Sequence, residues 1–159
     1  MKAKAEHPNS ASDAIIVSFA AEWYEKLRQN RVHAIIRKRI PRTVYPRLMY
    51  FHFNAPKSAI CARAEILSIA DIPAEIATTM ARELGMSPGS ILDYTRGEGS
   101  IGCYRLGKFQ FATCEVSTHE IASHMVYFPP QSFLVLAADA KAVLDRLCGF
   151  QPMRPERHR

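Results

Sequence analysis

Between Lys26 and Ala64 the sequence contains no aspartate or glutamate, although ten lysines and arginines lie there. The rest of the chain carries eleven basic residues against fifteen acidic ones. A basic segment joined to a mildly acidic remainder is typical of a surface that faces a polyanion. The alternative is a basic face that contacts solvent alone, and composition leaves it open.

Several other signals are missing from the sequence. The four cysteines include no C-x-x-C pair, and His119 and His124 are five residues apart, which does not bring them to one face of a helix. We therefore predict reduced cysteines, no bound metal and no cofactor. The N-terminus is polar and no apolar run has the length of a membrane span, so we expect neither a signal peptide nor a membrane anchor. These features together predict a cytoplasmic protein.

The length of 159 residues, of which 48% are hydrophobic, allows one domain with a substantial core. We predict a disordered leader over residues 1–13, a single domain over 14–149 and a basic tail over 150–159. Short strand patterns alternate irregularly with helical ones, without the repeat of a βαβ protein. The pattern predicts an α+β domain built on a curled, mostly antiparallel sheet or small barrel.

The first helix is predicted from an apolar stripe that contains Trp23 and Leu27. Ser18 is the expected N-cap of this helix, and Asn30 is the expected left-handed residue that ends it. Later helices are predicted after Pro73, after Ser87, after Ser117 and after Asp139.

The segment RVHAIIRKRIP, residues 31–41, has the alternation of a strand. Val32, Ala34 and Ile36 are predicted to face the core. The opposite face then carries Arg31, His33, Ile35, Arg37 and Arg39. A strand with so many basic groups on one face predicts a binding surface for phosphates.

A hairpin is predicted from two further strand patterns on either side of the turn NAPKS. In the first, Met49, Phe51 and Phe53 share one face. In the second, the shared face consists of Ile60, Ala62, Ala64 and Ile66. We expect both faces to be buried in one core together with the apolar face of residues 32–36.

Three stretches resemble the ASCH branch of the PUA-like superfamily. WYEKLRQNRVHAIIRKRIP is similar to the family's opening helix, turn and basic strand, with the rough pattern G-x-K-x-x-E-x-R-K/R-R-x-P. VYPRLMYFHFNAPKSAICARAEI resembles the family's hairpin, and PPQSF resembles a short motif before the last strand of relatives described as predicted transcriptional regulators. The resemblance implies a PUA-like pseudo-barrel of mostly antiparallel strands with inserted helices. It also implies a cleft between the first helix and the sheet that holds RNA or a nucleotide.

The sequence departs from the family pattern at functional positions. Asn30 stands for the turn glycine, Val32 for the lysine and Ile35 for the glutamate, whereas Arg37 matches the family arginine. One amidohydrolase branch uses a lysine, a threonine and a glutamate to open modified cytidines. The first two map to Val32 and Ile35, and the nearest candidate for the third is Glu83. Without the lysine and the hydroxyl, we do not expect this activity.

We therefore predict an RNA- or nucleotide-binding PUA-like module that acts in transcriptional or translational regulation. Its expected partner is RNA, another single-stranded nucleic acid or a nucleotide. Arg37 and Arg39 would lie about 7 Å apart on a strand, which roughly matches successive phosphates of an extended nucleic acid. The stiffened loop that follows can offer Tyr45 for base stacking. The full set of predicted nucleic-acid-binding residues is Arg31, His33, Arg37, Arg39, Arg42, Tyr45, Arg47 and Lys57.

Two other functions stay open at this point. The first is an enzyme on RNA or modified nucleosides, nuclease or amidohydrolase-like, with His33 and Glu83 as weak catalytic candidates beside Arg31. The second is a regulatory subunit whose basic groove receives an acidic segment of a partner protein. The sequence does not determine the oligomeric state.

Overall fold

The computed structural model describes residues 11–153, so most of the predicted leader and the last six residues of the predicted tail lie outside the described residues. Six strands form one sheet: β1 (Ala11–Phe19), β2 (Ala34–Arg37), β3 (Leu48–Phe53), β4 (Ala59–Pro73), β5 (Ser100–Ser117) and β6 (Leu134–Ala137). Residues 11–13, which we assigned to the leader, belong to β1.

Short helices are inserted between the strands. They are α1 (Trp23–Arg28), α2 (Ala74–Ala77), a 3-10 turn (Thr78–Met80), α3 (Ala81–Leu84), α4 (Pro88–Thr95), α5 (Thr118–His124) and α6 (Ala138–Cys148). No helix within residues 11–153 is long and apolar enough to cross a membrane.

The strand order in the sheet is β2-β5-β4-β3-β1-β6. Only the β1–β3 pair among these neighbours is parallel, and the other four pairs are antiparallel. The long strands β4 and β5 pair along most of their length, with register shifts at which the sheet curls. The sheet does not close, since β2 and β6 form its two edges. The predicted α+β pseudo-barrel with inserted helices is confirmed.

The main core lies inside the curled sheet. Met49, Phe51 and Phe53 of β3 are fully buried there, as predicted, and Phe51 stacks on Phe109 with ring centroids 5.6 Å apart. Phe19, at the end of β1, packs 5.1 Å from Phe51 between ring centroids. This alternation follows the period of two in the β3 sequence.

The prediction that four residues of β4 share one buried face is wrong in part. Ala62, Ala64 and Ile66 lie in the main core, but Ile60 lies in a second cluster on the other side of the sheet. The cause is a bulge: Phe51 pairs with Ala62 while the next residue, His52, pairs with Ile60, so Cys61 is an extra residue. One inserted residue reverses the side of the sheet to which the preceding residues point.

The predicted basic strand is also shorter and more buried than its sequence pattern indicates. Only residues 34–37 form β2, and Ile35, assigned to the basic face, is 4% exposed. Ile35 pairs across the sheet with Tyr104 inside the main core, while Ala34 and Ile36 pack under α2–α4 in a third cluster. The prediction that these two residues share one core with the β3 and β4 faces is therefore wrong, and of the predicted apolar face only Val32 lies in the main core. Both faces of β2 are therefore covered, and Arg31 and Arg39 lie outside the strand.

The ends of the helices agree with most of the sequence signals. Asn30 has φ +54°, as expected for a left-handed terminator, and Gly85 ends α3 with φ +62°. The Ser87 and Ser117 hydroxyls accept N-cap hydrogen bonds from backbone N–H groups at the start of α4 and α5. Ser18 is not a cap: it belongs to β1, and its hydroxyl lies 3.4 Å from Nδ1 of His52.

A buried arginine holds α6 and the following residues on the outer side of the sheet. Arg63 of β4 is 2% exposed and pairs with Asp145 of α6 at 3.0 Å. Its other donors reach the Tyr50 hydroxyl, the Gln110 side chain and the Gln151 carbonyl. Phe150 is buried beside them, so the first residues of the segment that we assigned to a basic tail pack on the domain.

Candidate nucleic-acid interface

Arg37 is the last residue of β2, and its guanidinium is held in place from several sides. The guanidinium carbon lies 4.5 Å from the Phe19 ring centroid, and its N–H groups donate to the carbonyls of Ser18 and Ile36 at 3.0 and 3.2 Å. Burial lowers the pKa of Arg37, and the neighbouring Tyr94 hydroxyl partly offsets that effect. None of the ion pairs within residues 11–153 includes Arg37.

The position of Arg37 marks the opening of the sheet. β2 and β6 are the two edge strands of the sheet, and the gap between them is the opening. The Arg37 side chain reaches across from β2 to the Ser18 carbonyl of β1, the strand that pairs with β6. Beside it lies a cavity of about 420 Å³ between the residues that follow β2 and those that precede β6. We call this cavity the seam pocket; it is lined by Lys38, Arg39, Ile40, Arg42, Ser132 and Phe133.

Three cations line the seam pocket. Arg39 is exposed and takes part in none of the ion pairs of the described residues, and the Lys38 ammonium lies 5.5 Å from the Tyr94 ring centroid. Arg42 donates two hydrogen bonds to the Asp71 carboxylate at 2.7 and 3.1 Å. These hydrogen bonds lower the pKa of Asp71. The pocket thus combines one neutralised arginine with two cations available to an anion.

A second polar group lies inside the sheet near Arg37. The Tyr104 hydroxyl is fully buried and has no hydrogen-bond partner among the described residues. Burial raises the pKa of Tyr104, and the positive charge of Arg37 opposes that rise. The interior next to the seam therefore contains a neutral hydroxyl as well as a cation, both of which are hydrogen-bond donors.

Two of the predicted residues, Tyr45 and Arg47, lie away from the seam pocket. Tyr45 is 88% exposed, and both side chains line a long groove of about 1670 Å³ at the other end of the loop. The backbone of Arg47 is anchored by hydrogen bonds with Asp13 and Ile66. The predicted residues of the loop between β2 and β3 therefore lie at two separate cavities, Arg39 and Arg42 at the seam pocket and Tyr45 and Arg47 at the groove.

Arg31 and His33 occupy a third place, between α1, β2 and α3. They line a cavity of about 730 Å³ together with Lys26, Arg82 and Glu83, which we call the side pocket. The backbone N–H of His33 donates to the Glu83 carbonyl at 2.7 Å, and the Glu83 carboxylate pairs with Arg105 at 3.0 Å. The sequence pattern missed Lys26 and Arg82, because they come from helices that only the tertiary fold brings beside β2.

Lys57 is separate from all three cavities. Its ammonium pairs with Glu115 at 2.9 Å and lies 4.0 Å from the Tyr24 ring centroid. The hydrogen bond to Glu115 raises the pKa of Lys57. This side chain is engaged in holding the hairpin turn. Within the described residues, no group of three His, Cys, Asp or Glu side chains is arranged to hold a metal ion.

Solved structures share this arrangement of strands and helices. The crystal structure of ASCH from Zymomonas mobilis superposes with a TM-score of 0.78 and 18% sequence identity, over 85% of this chain and 95% of that one. The chain has the fold of an ASCH domain. A serine-to-alanine variant of the same Zymomonas mobilis protein gives a TM-score of 0.79 at 17% identity, over 86% of this chain and 97% of the other.

The ASCH fold is shared more loosely with a further domain. The N-terminal domain of Staphylothermus marinus McrB has a TM-score of 0.51 and 8% identity, over 86% of this chain and 96% of that domain. No protein-family model and no curated protein matches the sequence. The tertiary structure therefore supports the ASCH fold that the resemblance of three sequence stretches predicted.

Proposed function

We propose that this protein binds single-stranded RNA or a nucleotide and contacts its phosphates at the seam pocket. The observation that carries the proposal is Arg37, a cation built into the opening of the sheet without an ion-pair partner among residues 11–153. Partly buried charges are costly unless they are compensated. A phosphate group at the opening would supply the missing negative charge.

The residues around Arg37 fit a phosphate better than they fit a neutral ligand. Arg39 and Lys38 add two further cations beside the pocket. Arg42 adds a guanidinium whose charge Asp71 balances and whose orientation Asp71 fixes. Guanidinium groups offer paired N–H donors that match phosphate oxygens. Ser132 adds a hydroxyl at the opposite wall, and Phe133 adds a ring that a base can contact. A regulatory protein could use such a pocket to hold an RNA strand.

Arg39→Ala is the substitution that tests this proposal most directly. We expect it to weaken the binding of single-stranded RNAs of different sequence by a similar factor, because a phosphate contact carries no base information. The slope of log K against log salt should fall in magnitude by roughly 0.7, the loss of one single-strand phosphate contact. Fluorescence anisotropy with end-labelled RNAs measures both quantities. Arg39 is preferred to Arg37 because Arg37 also supports the fold.

Arg146→Ala is the matched control, since Arg146 is exposed on α6 and lines none of the three cavities. It removes the same charge and should leave the salt slope unchanged. Arg82, on α3, is unsuitable as a control because it lines the side pocket with Arg31. Equal losses for Arg39→Ala and Arg146→Ala would show that binding depends on net charge alone, and the proposal would fail.

An enzyme that acts on RNA or modified nucleosides is the second candidate. One observation favours it: Arg31, His33 and Glu83 do line a single cavity, the side pocket. Against it, the Glu83 carboxylate is engaged by Arg105, which leaves it less available as a general base. Val32 and Ile35 are buried apolar residues and contribute no polar group to that cavity.

We therefore expect no detectable product when the purified protein, in excess, is incubated with acetylcytidine or with RNA. The physical reason is that no lysine or hydroxyl stands at Val32 and Ile35 to polarise a carbonyl or carry a proton. Chromatography of a single-turnover reaction measures the outcome, with the Glu83→Gln variant run in parallel. Product formed by the unaltered chain and absent from Glu83→Gln would establish the enzyme instead.

A further inference from the structure

The side pocket brings together basic side chains from three separate elements. Lys26 comes from α1, Arg31 and His33 from the residues before β2, and Arg82 from α3. The Lys26 ammonium donates to the Gly85 carbonyl at 3.1 Å and lies 4.4 Å from the Trp23 ring centroid, so it is fixed at the pocket. Arg82 and Arg31 are exposed around it.

The negative charge at this pocket does not balance these cations. Among the described residues, Glu83 is the one acidic residue of its lining, and its carboxylate is paired with Arg105, which is not part of the lining. Three permanent cations that converge on one cavity repel one another, and the cost is recovered when an anion binds among them. The pocket therefore has the electrostatics of a phosphate site, independently of the seam pocket.

The two pockets lie at opposite ends of β2. Arg31 precedes the strand and Lys38 follows it, so the two residues are seven positions apart, a span of at most about 25 Å in extended chain. Two residues of a β-strand span about 7 Å, which is roughly the distance between successive nucleotides of an extended nucleic acid. The distance between the two pockets therefore corresponds to about three to four nucleotides. A mononucleotide cannot reach both pockets, whereas a strand of moderate length can.

We propose that the side pocket is a second phosphate-binding site and that the ligand is an oligonucleotide long enough to occupy both pockets at once. This inference rests on the proposed function, which it narrows from RNA or a nucleotide to a linear single strand. Binding at the first pocket raises the local concentration of the rest of the strand at the second, so the two contacts strengthen each other.

The test compares two end-labelled RNAs, tetrauridine and decauridine, by fluorescence anisotropy. We expect decauridine to bind at least about tenfold more tightly. Tetrauridine whose phosphates occupy the seam pocket has no nucleotides left to cover the distance of about three to four nucleotides to the side pocket, whereas decauridine has. Combining Arg31→Ala with Arg82→Ala should weaken decauridine binding by about tenfold and reduce the magnitude of its salt slope by roughly 1.4, for two lost contacts. Tetrauridine binding should stay within about twofold of the unaltered chain, since the seam pocket is intact.

Two controls make the result specific. Arg96→Ala with Arg146→Ala removes the same net charge from exposed positions that line none of the three cavities, and it should leave both affinities nearly unchanged. Decauridine can also bind a single site in more positions along its length than tetrauridine can, which raises its affinity without a second site. The Arg31/Arg82 double variant retains this statistical effect and lacks only the second site, so it isolates the contribution of the side pocket. Thermal melts by circular dichroism confirm that each variant is folded.

The outcomes separate this inference from the proposed function. If tetrauridine binds and Arg39→Ala weakens it, but the Arg31/Arg82 double variant affects decauridine no more than the control pair does, the second site is refuted and the first stands. If the double variant weakens both probes equally, the side pocket is not a separate site. If neither RNA binds, the proposed function fails, and this inference fails with it.

Discussion

Asp145→Asn is expected to lower the free energy of unfolding by about 3 kcal/mol, the largest effect that we predict for a single conservative substitution. Asp145 accepts from the Arg63 guanidinium at 3.0 Å and from the Tyr50 hydroxyl, and its second oxygen lies 3.2 Å from the Lys141 ammonium. Asparagine has nearly the same shape, but it carries no charge and presents an NH₂ group toward one of these donors.

The cost is large because Arg63 has no route to solvent. Its side chain is 3% exposed, whereas the Asp145 side chain is 22% exposed. An unpaired arginine in this position would keep a buried charge, and removing one partner of a buried pair leaves the other uncompensated. Burial, together with the hydrogen bond to Asp145, raises the pKa of Tyr50, so its hydroxyl stays protonated and continues to need an acceptor. The predicted loss is therefore assigned to Arg63 and Tyr50 together.

Urea denaturation near neutral pH, followed by circular dichroism, measures this change. Asp93→Asn is the matched control, because the Asp93–Arg96 pair has the same chemistry with side chains 74% and 79% exposed. Pairs as exposed as this contribute at most about 0.5 kcal/mol on a helix. A loss for Asp145→Asn no larger than that of Asp93→Asn would show that the Arg63 pair does not hold α6 on the sheet.

The second large effect that we predict is a loss of RNA affinity as the salt concentration rises. Tetrauridine binding should weaken roughly 20- to 50-fold when monovalent salt rises from about 50 to about 200 mM, for three to four phosphates at a slope of about −0.7 each. The cations assigned to these contacts are Arg37, Lys38 and Arg39, all at the opening of the sheet. The fourth contact is the Arg42 guanidinium, whose charge Asp71 already balances. Titrations at four or more salt concentrations give the slope directly.

A neutral nucleoside is the control ligand for this experiment. Uridine has no phosphate, so any binding of it through Phe133 should be nearly independent of salt. Tetrauridine affinity that does not change with salt would mean that phosphates are not bound, and the seam pocket would then lose its assigned role. A slope much steeper than −3 would point to contacts beyond the four cations of the seam.

Much of the fold could be predicted from short-range patterns. The alternation of Met49, Phe51 and Phe53 placed one face of β3 in the core, and Asn30 and Gly85 marked the ends of helices. These predictions depend on the period of a strand or on a backbone conformation, which neighbouring residues determine. The pseudo-barrel itself was expected from the resemblance of three stretches to ASCH domains, and the superposition supports that fold.

The side on which Ile60 and Ile35 lie could not be predicted in the same way. The bulge at Cys61 depends on how β4 pairs with β3, so a strict period of two fails there. The prediction that Ile35 lies on an exposed basic face assumed that one side of β2 faces solvent. Helices α2–α4 cover one side of β2 and the sheet interior covers the other.

The sequence by itself determined the positive charge of one segment, because the stretch from Lys26 to Ala64 contains no acidic residue whatever the fold. Tertiary structure alone decided where each charge is placed. It brings Lys38, Arg39 and Arg42 to the seam pocket, and it adds Arg82 from α3 to the side pocket. It also neutralises Lys57 with Glu115, which lies 58 positions away in the chain. Charge is a local property of residues, whereas a site depends on contacts between distant segments that a pattern along the chain does not record.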